Sequence, residues 1–143
     1  VTAFQFDTEK GTLKKLQSVS TIPDSVSERS RFSTAEIAIH PSGKFLYVSN
    51  RGHDSISLFG INEQSGKLSL KRVEPTHCQT PRHFVIAPGG NRLYAAGQAS
   101  GTVTAFTIDP TTGKLSFTNR ITKVPKPVCI IFSRPLLPGP EKP

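Results

Sequence analysis

Ile37–Tyr47 reads IAIHPSGKFLY, and Phe84–Tyr94 reads FVIAPGGNRLY. Each is an apolar triplet, a turn built on Pro and Gly, and a second apolar run that reaches Tyr, and the two copies lie 47 residues apart. A second block recurs three times, as Val1–Asp7 (VTAFQFD), Ile56–Asn62 (ISLFGIN) and Val103–Asp109 (VTAFTID). In every copy a Gly follows at the same offset (Gly11, Gly66, Gly113), and a Leu two residues later (Leu13, Leu68, Leu115). The step from Ile56 to Val103 is again 47. Short runs rich in Val, Ile, Phe and Tyr, cut by turn residues and repeated at this period, are the pattern of four-stranded β-propeller blades. No helical periodicity competes with it.

The expected fold is therefore all-β, with blades of four antiparallel strands named A to D from the axis outward. One blade takes A around Ile37–Ile39, B from Phe45 to Ser49, C from Ser55 to Ile61 and D from Lys67 to Val73. The next takes Arg82–Ala87, Arg92–Ala96, Thr102–Ile108 and Lys114–Ile121. Val1–Phe6 and Thr12–Val19 read as C and D of a preceding blade, and Pro127–Phe132 as one further A strand. Two complete blades and two partial ones do not close a ring, so residues 1–133 are expected to be a portion of a larger propeller. Either further blades or self-association must cover the exposed strand edges. Residues 134–143, rich in Pro, read as a tail.

Composition narrows the class. The 143 residues are 35% hydrophobic and carry no apolar run near the ~20 residues that span a bilayer, so no membrane association is expected. The net charge of +8 admits an anionic partner. Nucleic acid is a poor fit, because Lys and Arg are dispersed and no aromatic residues interleave with a basic stripe. A small anionic substrate is compatible. Cys78 and Cys129 sit far apart and outside any metal-ligand spacing, which suits reduced thiols and a cytoplasmic setting, with no metal and no cofactor implied.

AEIAIHPSGKFLYVSNRGHDSISLF (Ala35–Phe59), then TPRHF, DPTTGKL and PVCIIF, in that order, resemble the C-terminal part of the lactonase family of seven-bladed propellers. That family includes bacterial 6-phosphogluconolactonases and fungal carboxy-cis,cis-muconate cyclases. The resemblance reaches Phe132. It implies hydrolysis of a sugar lactone, 6-phosphogluconolactone to 6-phosphogluconate first of all. Two alternatives stand beside it: lactonising cyclisation of a carboxymuconate, and a non-catalytic propeller that binds a partner on its rim, since architecture alone does not fix function.

Strand direction sorts the polar residues. In an up-and-down blade the D-to-A connectors and B-to-C loops share one rim, and the A-to-B and C-to-D turns share the other. Glu36 at the start of an A strand, Arg51 and His53 in the B-to-C loop, Arg82 and His83 at the next A strand, and Gln98 in the next B-to-C loop then fall on one rim. The turns HPSGK, PGGN and PTTGK fall on the opposite one. Glu36 is read as a catalytic carboxylate or as the ion-pair partner of Arg51 or Arg82. Arg51 and Arg82 offer planar forks for phosphate, carboxylate or an oxyanion. His53, His83 and Gln98 are read as substrate-binding, with packing at a blade interface the other reading of His83. His40 reads as structural, His77 and Cys78 have no partner that would make a nucleophile, and Cys129 reads as a buried small hydrophobe.

One spacing departs from the repeat. From Val1 to Ile56 is 55 residues, and the surplus falls in the connector Pro23–Thr34 (PDSVSERSRFST) on the functional rim. This segment is either a rim contact that brings Arg29 and Arg31 near the mouth or a tolerated surface loop.

Overall fold

The computed structural model describes residues 1–133; the proline-rich segment 134–143 lies outside the described residues. Among the described residues ten strands form three antiparallel sheets. β1 (Thr2–Asp7) pairs with β2 (Thr12–Ser18). The first four-stranded sheet runs in order β3 (Ser33–Ile39), β4 (Phe45–Arg51), β5 (Ser55–Ile61), β6 (Leu68–Pro75). The second repeats that order with β7 (Pro81–Ile86), β8 (Arg92–Gly97), β9 (Thr102–Ile108) and β10 (Leu115–Lys123). Sequential order within each sheet is what an up-and-down blade requires. The registers reproduce the repeat: Ile37 faces Val48 and Phe84 faces Ala95, each pair 47 residues from the other.

Alternation explains how the blades stack. Successive side chains of a strand point to opposite faces, so β4 sends Phe45 and Tyr47 one way and Leu46 and Val48 the other, and all four are buried. Phe45 and Tyr47 join Ile56 and Leu58 against Phe84, Leu93, Phe106 and Leu115 of the following sheet. Leu46 and Val48 join Phe59 and Leu68 against Val1, Ala3 and Val19 beside the preceding hairpin. Each large side chain buried in these layers contributes about 1.5–3 kcal/mol.

Polar contacts then set the spacing between blades. Gln17 exchanges two hydrogen bonds with the backbone of Leu68, its Nε2 donating to the carbonyl (3.0 Å) and its Oε1 accepting from the amide (2.8 Å). The Tyr47 hydroxyl donates to the Gly113 carbonyl at 2.6 Å. His40 is also a lock: Nδ1 accepts from the Ser42 amide (3.1 Å), which leaves the proton on Nε2, 2.7 Å from the Gly90 carbonyl. Its structural reading holds.

Two expectations are corrected at the end of the described chain. Residues 127–132 enter no ladder, although Ile130 lies beside β7 with its amide 3.3 Å from His83 Nδ1. A strand exists by its partners, and no neighbour among the described residues pairs with this segment on its outer side. For the same reason Cys129 is exposed rather than buried. No helix among the described residues is long and apolar enough to cross a membrane.

Candidate functional site

The two innermost strands, β3 and β7, both carry a register irregularity, between Thr34 and Ile37 in the first and between Pro81 and His83 in the second. Such bulges re-aim side chains. In β3 the Glu36 amide donates to the buried Ser49 hydroxyl at 3.0 Å. The carboxylate is anchored at Oε1 by the Ile37 amide (3.0 Å) and presents Oε2 to His83 Nε2 at 3.3 Å. Because His83 Nδ1 receives the Ile130 amide, a neutral imidazole carries its proton on Nε2 and donates to Glu36. Both side chains keep solvent access, 31% for Glu36 and 19% for His83. They line a groove of about 480 Å³ that runs between the inner strands toward Pro41, Pro88 and Phe132.

The pairing differs from the expected one. Among the described residues no ion pair joins Glu36 to Arg51 or Arg82. Arg51 ends β4, with Nη2 3.4 Å from the Thr34 carbonyl, and its buried Nε has no partner. Arg82, exposed beside the β7 bulge, reaches Gln98 Oε1 at 3.4 Å. His53 Nδ1 lies 2.8 Å from the Ser55 hydroxyl, and its ring meets Phe32 edge-on at 5.3 Å. The structure thus joins Glu36 with His83 and Arg82 with Gln98 directly, while Arg51 and His53 are held by their own blade. Both arginines retain N–H donors for an anion.

Asp54 escaped the sequence reading. It sits at φ 53 in the turn after His53, a conformation Asp tolerates. Its Oδ1 accepts from the Gly52 amide (3.3 Å) and the Thr80 amide (2.9 Å), and its carbonyl accepts from the Thr76 amide and hydroxyl (2.9 and 2.7 Å). One carboxylate therefore ties the loop carrying Arg51 and His53 to the connector that delivers Arg82 and His83. The available signal was an acidic residue in a turn between two strands.

Other reactive side chains are occupied structurally. Burial pushes the Cys78 thiol upward, which favours the inert thiol over the thiolate. His77 stacks on Phe117 with ring centres 4.0 Å apart. Among the described residues no three His, Cys, Asp or Glu side chains gather as a metal-binding group. The surplus connector folds into a short 3₁₀ turn (Arg29–Arg31), where Arg31 pairs with Glu28 at 3.0 Å in full view of solvent, and Phe32 then packs on His53.

Stacked four-stranded antiparallel sheets, with Glu36 and His83 meeting between their first strands, define an arc of a β-propeller. Residues 1–132 match the family described as lactonase, 7-bladed beta-propeller, and the chain belongs to that family. It is 39% identical over 85 residues to a 6-phosphogluconolactonase of Bacillus subtilis, a match covering 59% of this chain and 24% of that protein. A solved protein from Lactobacillus plantarum superposes with a TM-score of 0.84 at 31% identity, covering 90% of this chain and 37% of its own. A periplasmic gluconolactonase of Pseudomonas aeruginosa superposes with a TM-score of 0.78 at 26% identity, over 88% of this chain and 34% of its own. The chain thus spans about a quarter to two fifths of the length of these relatives.

Proposed function

We propose that this rim, in the complete ring, hydrolyses a sugar lactone, with 6-phosphogluconolactone converted to 6-phosphogluconate. The observation that carries the reading is the partly exposed Glu36–His83 contact at the mouth of the inner groove, with Arg51 and Arg82 on the same rim. The relative named 6-phosphogluconolactonase supports the choice of substrate.

Hydrolysis adds water to the ester carbonyl, breaks the bond to the ring oxygen, and delivers a proton to that oxygen as the carboxylate forms. Glu36, oriented by the Ile37 amide and His83, is the acceptor for a proton of the attacking water. Arg51 and Arg82 are the cationic groups for the substrate phosphate and for the oxygen that gains negative charge. Gln98 holds Arg82 toward the rim, and His53 borders the same loop.

The test is lactone consumption by the full-length protein, measured above spontaneous opening, for the parent and for folded Glu36→Gln, Arg51→Ala and Arg82→Ala variants. The reading expects loss of rate in each. Parent rates in all three would remove this site, and a parent without acceleration on any sugar lactone would return the cyclase and binding-module alternatives to the front.

A further inference from the structure

The stretch after β10 runs back across the second blade, and among the described residues it enters no ladder. The Val124 amide donates to the Gly101 carbonyl (3.0 Å), the Ile130 amide donates to His83 Nδ1 (3.3 Å), and Phe132 meets Tyr94 with ring centres 5.9 Å apart. Ile130, Ile131 and Phe132 border two cavities of about 480 Å³, one shared with Tyr94 and Val103 and the other with Glu36 and His83. A main-chain amide is thus the point at which this stretch bonds to the rim site.

That amide decides which form of His83 fits. Glu36 Oε2, 3.3 Å from Nε2, accepts equally well from a neutral ring protonated on Nε2 and from an imidazolium. The Ile130 N–H does discriminate. A proton on Nδ1, whether in the imidazolium or in the other neutral tautomer, would set two donors against each other. The neutral ring with its proton on Nε2 is the form that satisfies both neighbours. In that form Glu36 receives one N–H at each oxygen, from Ile37 and from His83, and has no cationic imidazole beside it. A carboxylate that takes a proton from water needs that arrangement, because a neighbouring cation would weaken it as a base.

We infer that the Ile130 main-chain amide is a positioning group of the rim site. Seated on Nδ1, it holds His83 as the neutral Nε2–H donor that orients Glu36, so the site is complete only while residues 127–132 lie against β7. The inference takes the role of the site from the proposed lactone hydrolysis, whereas the state of His83 is measured apart from any activity.

The experiment compares the full-length protein with Ile130→Pro, which removes the N–H, and Ile130→Val, which keeps it. Should the Pro ring disturb folding, an α-hydroxy acid in place of Ile130 removes the same N–H through a backbone ester. Imidazole nitrogen NMR at neutral pH is expected to show His83 Nδ1 unprotonated in the parent and in Ile130→Val, and coupled across the hydrogen bond to the Ile130 nitrogen. Without the N–H, Nδ1 is expected to carry a proton in a substantial fraction of molecules. In the same variant kcat/KM for 6-phosphogluconolactone is expected to fall about threefold to tenfold, the equivalent of one neutral hydrogen bond. Made in a His83→Phe background, the change is expected to cost nothing further. The inference is overturned if Nδ1 is protonated in the parent, if removing the N–H leaves its state unchanged, or if the losses from Ile130→Pro and His83→Phe add. A parent that does not accelerate lactone opening would remove the lactonase reading, and the nitrogen spectra would still decide how Ile130 acts on His83.

Discussion

Glu36 and His83 are 47 residues apart in sequence and 3.3 Å apart in space. They are the same position of two consecutive blades, on neighbouring inner strands, so the repeat itself brings them side by side. One copy carries the carboxylate and the other the imidazole, and the amide of Ile130, a further 47 residues on, completes the row at His83 Nδ1. A propeller builds a chemically mixed site in this way: identical backbones deliver different side chains to adjacent points around an axis.

Under the proposed reaction, replacing Glu36 by Gln keeps the shape and removes the group that would take the proton of the attacking water. The full-length protein is expected to lose about 10²-fold or more in kcat/KM on 6-phosphogluconolactone. His83→Phe is expected to cost less, since Glu36 keeps its bond from the Ile37 amide. Steady-state kinetics on both variants checks the order.

Asp54→Ala removes the carboxylate that accepts from both the Gly52 and Thr80 amides. The exposed Gly52 amide turns to water, but leaving the partly buried Thr80 amide unpaired costs about 1–3 kcal/mol, read as a lower denaturation midpoint. Because the connector delivering Arg82 is released, KM for an anionic lactone is expected to rise as well, and Asp54→Asn, which retains an acceptor oxygen, to recover much of both losses.

The blade frame was legible because two signals coincide in it: alternation over the B and C strands, and a 47-residue period. Pro127–Phe132 carries the same apolar signal yet forms no strand among the described residues, since a ladder depends on a neighbour and not on the segment's own composition. Within the site, strand direction assigns Glu36, His83, Arg82 and Gln98 to one rim. Charge complementarity, however, points Glu36 at an arginine, whereas the bulges at residues 34–37 and 81–83 re-aim the side chains and give it His83. Bulges and the αL turn that positions Asp54 are backbone events with little trace in hydrophobic pattern.

Acid should weaken the outer turns. Bonds from the Thr112 amide and side chain, with a further amide bond from Thr111, hold the Asp109 carboxyl below its ordinary value. A depressed folded-state value means its stabilisation is present above the unfolded pKa and fades as pH falls through the folded one. Asp109→Ala is therefore expected to lower thermal stability at neutral pH and to differ less from the parent toward acid pH, as melting curves across that range would record.

Thiol chemistry separates the two cysteines. Cys129 is exposed, whereas Cys78 is buried beneath Gly97 and its thiol is pushed upward by burial. A thiol reagent at neutral pH is expected to label one equivalent rapidly and the second only as the structure opens. Mass spectrometry after a short pulse should find the label on Cys129.

The contact between Tyr47 and Gly113 tests how neighbouring blades are held together. Tyr47 is fully buried, burial pushes its phenol upward so that it stays a neutral donor, and its one hydroxyl bond goes to the carbonyl of a turn in the next blade. Tyr47→Phe keeps the ring's packing and leaves that carbonyl without its donor, an expected loss of about 1 kcal/mol. Gly113→Ala strikes the same turn differently. Gly113 adopts φ 71, and a Cβ there would lie 2.7 Å from Cγ of the buried Phe45 ring. The left-handed backbone costs about 1–2 kcal/mol for any residue bearing a Cβ, and the overlap adds to it, so Gly113→Ala is expected to destabilise by more than Tyr47→Phe. Gly11 has the same turn and φ 64 with no atom within 4 Å of a Cβ, so Gly11→Ala carries the backbone cost alone. Urea unfolding of the three variants should rank Gly113→Ala as the most destabilised, and equal midpoints for the two glycine variants would show that the turn does not press on Phe45.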